Sequence, residues 1–141
     1  SKNSIKPTER RGGKMVTLQT FELCKQLHEL KPGWTPEDRL FIGREGGLPE
    51  IVKGVSFARC FDKAPRFTAD YLLEKLPNRI LDGFDYGMLT LSARQGSFRY
   101  GWVASYDNDA GYPIGDIAGV AETALDALLE LTIEMVERGE I

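Results

Sequence analysis

Histidine is nearly missing from this sequence. His28 stands alone in 141 residues, with no Cys–His or Ser–His–Asp pattern around it. Cysteine is as scarce: Cys24 and Cys60 are isolated thiols without metal-ligand spacing, read as free thiols of a reducing cytoplasm, with a Cys24–Cys60 disulfide as the alternative. There is therefore no catalytic, cofactor or metal signature, and none of those classes is assigned. His28 sits at the rim of an apolar helix stripe and reads as a partly buried structural histidine. Long apolar runs are absent too. None approaches the roughly 20 residues of a membrane span, and the N-terminus has no apolar signal region, so no membrane role is read.

What is present is ordinary in amount and uneven in placement. The apolar share is 42% and the charged share 28%, as in a soluble globular protein. Residues 1–36 carry seven Lys/Arg against three acids, residues 37–79 eight against seven, and residues 80–141 three against eleven. The overall charge of −3 thus hides a basic start and a strongly acidic end. An acidic C-terminal half is poorly suited to gripping a phosphate backbone.

Ser1–Lys14 is polar and basic, with Lys2, Lys6, Arg10, Arg11 and Lys14. It reads either as a basic arm or as translated upstream sequence ahead of a start at Met15, the second reading being preferred. Residues 15–141 read as a single α+β domain. Its first helix spans Leu18–Leu30, capped by Thr17, stapled by Val16 and Phe21, and ended by Pro32-Gly33. Leu40–Ile42 and Val55–Phe61 are short strand candidates. Gly43-Arg44-Glu45-Gly46-Gly47 matches neither phosphate-loop spacing and is read as a turn. A second helix starts at Ala69 behind the cap Thr68 and closes at Pro77.

The centre of the expected fold is an antiparallel sheet built on an 86–106 hairpin. A turn at Gln95-Gly96 with Arg94 opposite Ser97 puts Leu89, Leu91, Ala93, Phe98, Tyr100 and Trp102 on one face. The expected core is Phe21, Leu27, Leu72, Leu89, Leu91, Tyr100, Trp102, Leu125, Leu128 and Leu129. Asp107–Gly111 superficially resembles a calcium loop, but Tyr112 and Ala118 stand where that pattern needs Gly and Glu. Tyr112–Ile117 reads as a loop or a short edge strand. The last helix, Ala124–Arg138, has the capping pair Thr123 and Asp126 and a terminating Gly139. Its apolar arc exceeds half the wheel. The N- and C-terminal helices are expected to pack on the sheet, and the surplus apolar arc points to a homodimer.

Three stretches resemble small uncharacterised proteins of phage and prophage gene clusters: Thr20–Leu27 with Gly33-Trp34, Pro65–Leu73, and Ala121–Leu128. In that family the last stretch often has Pro where Ala124 stands. The resemblance implies a cytoplasmic product of a mobile element and brings no catalytic residues. The favoured reading is a small protein-interaction module without catalysis, with an unidentified protein partner and the acidic row Asp126, Glu130, Glu134 and Glu137 as its surface. The alternative is a nucleic-acid accessory using Arg44, Lys53, Arg59, Lys63 and Arg66; those cations are nearly balanced by acids, so nucleic acid is the less favoured partner.

Overall fold

The computed structural model describes residues 16–36, 40–44, 49–53, 62–95 and 100–141. The Ser1–Lys14 tail, the Val55–Phe61 strand, Glu45–Gly47 and the residues just beyond Gln95 lie outside that set. The chain is α+β, and it divides into two compact units, residues 1–67 and 68–141, where the sequence suggests one domain from residue 15 onward.

The first unit holds α1 (Leu18–Leu30), β1 (Leu40–Arg44), β2 (Glu50–Lys53) and β3 (Asp62–Pro65). The Thr17 hydroxyl accepts the Thr20 N–H and so caps α1 as its sequence requires. Phe21, Cys24 and Leu27 are fully buried along one stripe, and α1 packs on β3. Leu30 is exposed at the helix end. The three strands are antiparallel in the order β2-β1-β3. β3 has no β-branched residue and ends in proline, and β2 offers only the pair Ile51-Val52 within four residues, too short a run to read as a strand from the sequence. Cys24 is fully buried, and Cys60 lies outside the described residues.

The second unit holds α2 (Ala69–Lys75), β4 (Arg79–Asp82), β5 (Asp85–Gln95), β6 (Tyr100–Asp107), β7 (Pro113–Ala121) and α3 (Ala124–Glu137). Its sheet is a four-stranded antiparallel meander, β4-β5-β6-β7. The hairpin at its centre stands, but its register differs from the expected one. Ala93 faces Trp102, Leu91 faces Ala104, Leu89 faces Tyr106, and Arg94 faces Gly101 instead of Ser97. Because Arg94's partner moves by an even number of residues, the expected division into two faces survives. Gln95 pairs with Tyr100, so four residues and not two connect the strands, and side-chain alternation is the same for either pairing and does not choose between them. Ala104 is paired with Gly119 of β7, which makes a flat spot. A Cβ on Gly119 would collide with the Ala127 carbonyl and come within 2.6 Å of the Leu131 N. The helix backbone therefore lies directly on that strand.

The same placement corrects the expected core. Phe21, Leu27, Leu72, Leu128 and Leu129 are buried as expected. Leu89, Trp102 and Leu125 are only half-buried and Leu91 is exposed, because α3 covers β7 and β6 and leaves most of β5 uncovered. The Tyr100 side chain lies outside the described set. Tyr106, Ile114, Ile117, Leu131 and Met135 complete the core of this unit.

β7 is a nine-residue strand where a loop or short edge strand was expected. Ile114 and Ile117 are both buried although a spacing of three puts side chains on opposite faces of a regular strand. Between them Gly115 and Asp116 have φ of 75° and 51°, and the register with β6 slips there. This bulge returns Ile117 to the helix side. It also explains why alternation was not visible in the sequence. At the far end, α3 closes with the Gly139 N–H bonded to the Val136 carbonyl and the Glu140 N–H to the Met135 carbonyl, around Gly139 at φ 77°.

Candidate interaction surface

β4 and β5 are joined by the two-residue turn Gly83-Phe84, with Asp82 opposite Asp85. Gly83 has φ 66° and Phe84 does not share the positive sign, the pattern of a type II′ hairpin. Phe84 is fully exposed at the tip. Below the turn, Leu81 faces Tyr86 and Arg79 faces Met88 on the sheet face turned away from α3. Leu81, Tyr86 and Met88 are 66%, 58% and 52% exposed. The Arg79 guanidinium lies 5.7 Å from the centre of the Tyr86 ring, a cation–π contact that holds the ring across the strands. Further along the same face Val103 pairs with Val120, and Val120 is also exposed. Leu81, Tyr86 and Met88 thus form one apolar band beside the β4 edge, separated from the Val103–Val120 pair by Thr90 and Ser105.

The two edges of this sheet differ. At β7 three backbone groups are taken by side chains of α3 and its C-cap Arg138. The Val120 N–H donates to Glu130 Oε1 at 3.3 Å, and Arg138 donates from Nη1 to the Gly115 carbonyl and from Nη2 to the Asp116 carbonyl, each at 3.0 Å. At β4 the Leu89 N–H bonds to the Asn78 carbonyl, which fixes the alternation of the ladder. Ile80 and Asp82 therefore turn their backbone groups toward β5, and Arg79 and Leu81 turn theirs outward. Just before β4, the Pro77 carbonyl accepts the Tyr106 hydroxyl at 2.7 Å. Burial and then the nearby Glu140 charge push the Tyr106 phenol up to about 12.

The acidic row of α3 does not form one surface. Asp126 is 2% exposed, in the first helical turn, where its N–H meets the Thr123 hydroxyl. Glu130 holds the β7 edge, Glu134 is paired with Arg138 Nε at 2.7 Å, and only Glu137 is exposed without such a role in these contacts. The surplus apolar arc of α3 is covered as well: Ile133 is buried within the single chain and Val136 is half-buried. Of the basic set, Arg44 ends β1 opposite Asp62, Lys53 ends β2 opposite Leu40, and Lys63 lies on β3 opposite Gly43. Lys53 and Arg44 sit at opposite ends of β1. Arg66 is half-buried, and Arg59 lies outside the described residues. His28 is half-buried with its Nδ1 enclosed and no hydrogen bond to it among the described residues.

A cleft of about 410 Å³ opens beside the β4–β5 turn, lined by Asp82, Asp85, Asn108 and the Pro113–Asp116 run. Asn108 is committed to its own loop, its Oδ1 accepting the Ala110 and Tyr112 N–H groups, and Asp107 accepts the Ser105 hydroxyl. Those bonds build the β6–β7 connection that the sequence resembles to a calcium loop. Among the described residues no group of three His, Cys, Asp or Glu side chains is arranged to hold a metal ion, and no helix is long and apolar enough to cross a membrane.

The signal for the outer face was present in the sequence, since Leu81, Tyr86 and Met88 alternate as strand neighbours. Only the β4–β5 pairing, which sets Leu81 beside Tyr86, joins them into one surface. No family model, curated protein or solved structure matches the chain.

Proposed function

We propose that the chain is a small cytoplasmic protein-interaction module, of the phage-related kind its sequence resembles, that works through the outer face of its four-stranded sheet. The observation that carries this reading is the band of Leu81, Tyr86 and Met88, each more than half exposed and next to one another by register. A contiguous apolar band is unfavourable in water unless something covers it, and such patches mark interaction surfaces. Its make-up also fits: Tyr, Met and Arg are enriched at protein interfaces, and Arg79 already lies over the Tyr86 ring. The acidic row of α3 drops out of the reading, because three of its four members are buried or engaged within the chain.

The test compares tagged full-length chain with Tyr86→Ala/Met88→Asp, both recovered from the cells that express them. These side chains are exposed, so the variant keeps its melting temperature. The expected result is a species, either another protein or untagged copies of the chain, that co-purifies near stoichiometrically with the wild type and is lost from the variant. Equal recovery on both would overturn the reading.

A further inference from the structure

The open edge of β4 has few groups, and they suit one another. Only Arg79 and Leu81 point their backbone N–H and carbonyl groups outward, as the ladder alternation fixes. The edge stops there on both sides. Pro77 has no N–H and its carbonyl is taken by Tyr106, and Gly83 turns the chain back into β5. Four outward backbone groups are thus left in a strand with no partner on that side among the described residues. Unpaired strand edges of this kind template pairing with another chain.

We propose that β4 pairs antiparallel with β4 of a second copy of this chain about a twofold axis at Ile80, joining two four-stranded sheets into one. This rests on the interaction-module reading and names its partner. In this register Arg79 lies opposite the partner's Leu81, and Leu81 opposite the partner's Arg79. The two pairs exchange four hydrogen bonds, so every outward group of both strands is used. On the helix side Ile80 meets the partner's Ile80, and Asn78 lies opposite the partner's Asp82, an amide donor against a carboxylate. On the outer face Leu81 lies between its own Tyr86 and the alkyl stem of the partner's Arg79, which covers part of the exposed band. The neighbouring register, centred on Leu81, sets Ile80 against the partner's Asp82 and leaves an apolar side chain facing a charge. A longer foreign strand would find no further backbone groups to bond on this edge. A second copy satisfies the edge completely, and the twofold repeats each side-chain pair twice.

Sedimentation equilibrium of the full chain, from low micromolar to several hundred micromolar, tests the pairing. The wild type is expected to show a concentration-dependent monomer–dimer equilibrium. Leu81→Pro removes an outward N–H at an edge position that tolerates proline, and is expected to leave a monomer with cooperative melting. Asn78→Asp places two carboxylates opposite each other twice per dimer and is expected to weaken association about tenfold. Asn78→Asp combined with Asp82→Asn exchanges the pair and is expected to restore it, a rescue that misfolding would not give. A monomeric wild type, or a dimer indifferent to Leu81→Pro and Asn78→Asp, overturns the inference. If Tyr86→Ala/Met88→Asp still loses a different co-purifying protein in either of those cases, the interaction-module reading stands without the self-pairing.

Discussion

β7 and β4 bound the same four-stranded sheet, yet the chain treats them in opposite ways. Along β7, α3 lies close enough to bond three of the strand's backbone groups with side chains, Glu130 at one end and the C-cap Arg138 at the other. Along β4 no described element does so, and the strand runs into a turn with a fully exposed Phe84 at its tip. Edge strands left open are a hazard, and proteins usually shorten, bend or cover them. Here one edge is bent by a bulge and covered, while the other is merely short. The contrast teaches that α3 has two tasks. Its leucines fill the core, and its polar row, which looks like a free acidic surface on a helical wheel, closes a sheet edge.

The contrast breaks most completely where α3 touches β7. Gly119→Ala drives a methyl group into the helix backbone at Ala127 and Leu131, an obstacle that cannot rotate away. The expected loss is about 3 kcal/mol, at the upper end for overpacking, read from urea unfolding. A loss below about 0.5 kcal/mol, the range of surface changes, would mean α3 does not sit on this strand.

The β4 side has its own anchor in Tyr106, whose hydroxyl holds the Pro77 carbonyl. In the unfolded chain the phenol ionises near 10.0, and in the folded chain only near 12. Below pH 10 both states carry the proton and stability does not depend on it. Between 10 and 12 the unfolded state alone releases it, so stability falls as pH rises, by on the order of 2–3 kcal/mol across the window. Tyr106→Phe is expected to remove that part of the slope, measured as the difference between the two proteins' unfolding free energies along the pH series. Parallel profiles would rule the linkage out.

Arg138 sharpens the comparison at the bulge. Its fork spans the neighbouring carbonyls of Gly115 and Asp116, the latter a non-glycine residue with positive φ. Arg138→Ala is expected to cost about 1–2 kcal/mol, since these charged bonds are partly exposed. Arg138→Lys should recover little, because a point charge cannot bridge both oxygens. Full recovery by lysine would reduce the brace to simple charge.

The smallest effect should come from Glu130→Ala, which frees the Val120 N–H at the strand's edge. A stability loss of about 0.5–1 kcal/mol is expected. The clearer readout is faster hydrogen exchange at Val120, approaching that of the Leu81 amide at the open edge. An unchanged Val120 rate would show that Glu130 does not close this edge.

Much of the local structure was legible in the amino-acid sequence. Thr17, Thr68 and Thr123 start the three helices, and each hydroxyl accepts the N–H three residues on. Gly139 ends the last helix in the left-handed conformation that its Schellman bonds require. The two faces of the central hairpin were legible as well, because strand side chains alternate whatever lies at the turn. These features depend on neighbours within a few residues, so the sequence carries them openly.

Register, edges and the surface were decided by the tertiary structure. The Gln95-Gly96 pattern points to one pairing and the strands adopt another, with Gln95 opposite Tyr100, which alternation alone does not distinguish. The Gly115-Asp116 bulge hid the longest part of β7 from any period-two reading, and it persists where Arg138, 22 residues further on, holds its carbonyls. Glu130 and Asp126 look exposed by helical spacing but lie at a strand edge and in a buried first turn. The bulge and the places of these two acids depend on groups brought together from distant parts of the chain. Local propensity cannot encode them, because the free energy that decides them comes from burial and hydrogen bonds that exist only once α3 has docked on the sheet.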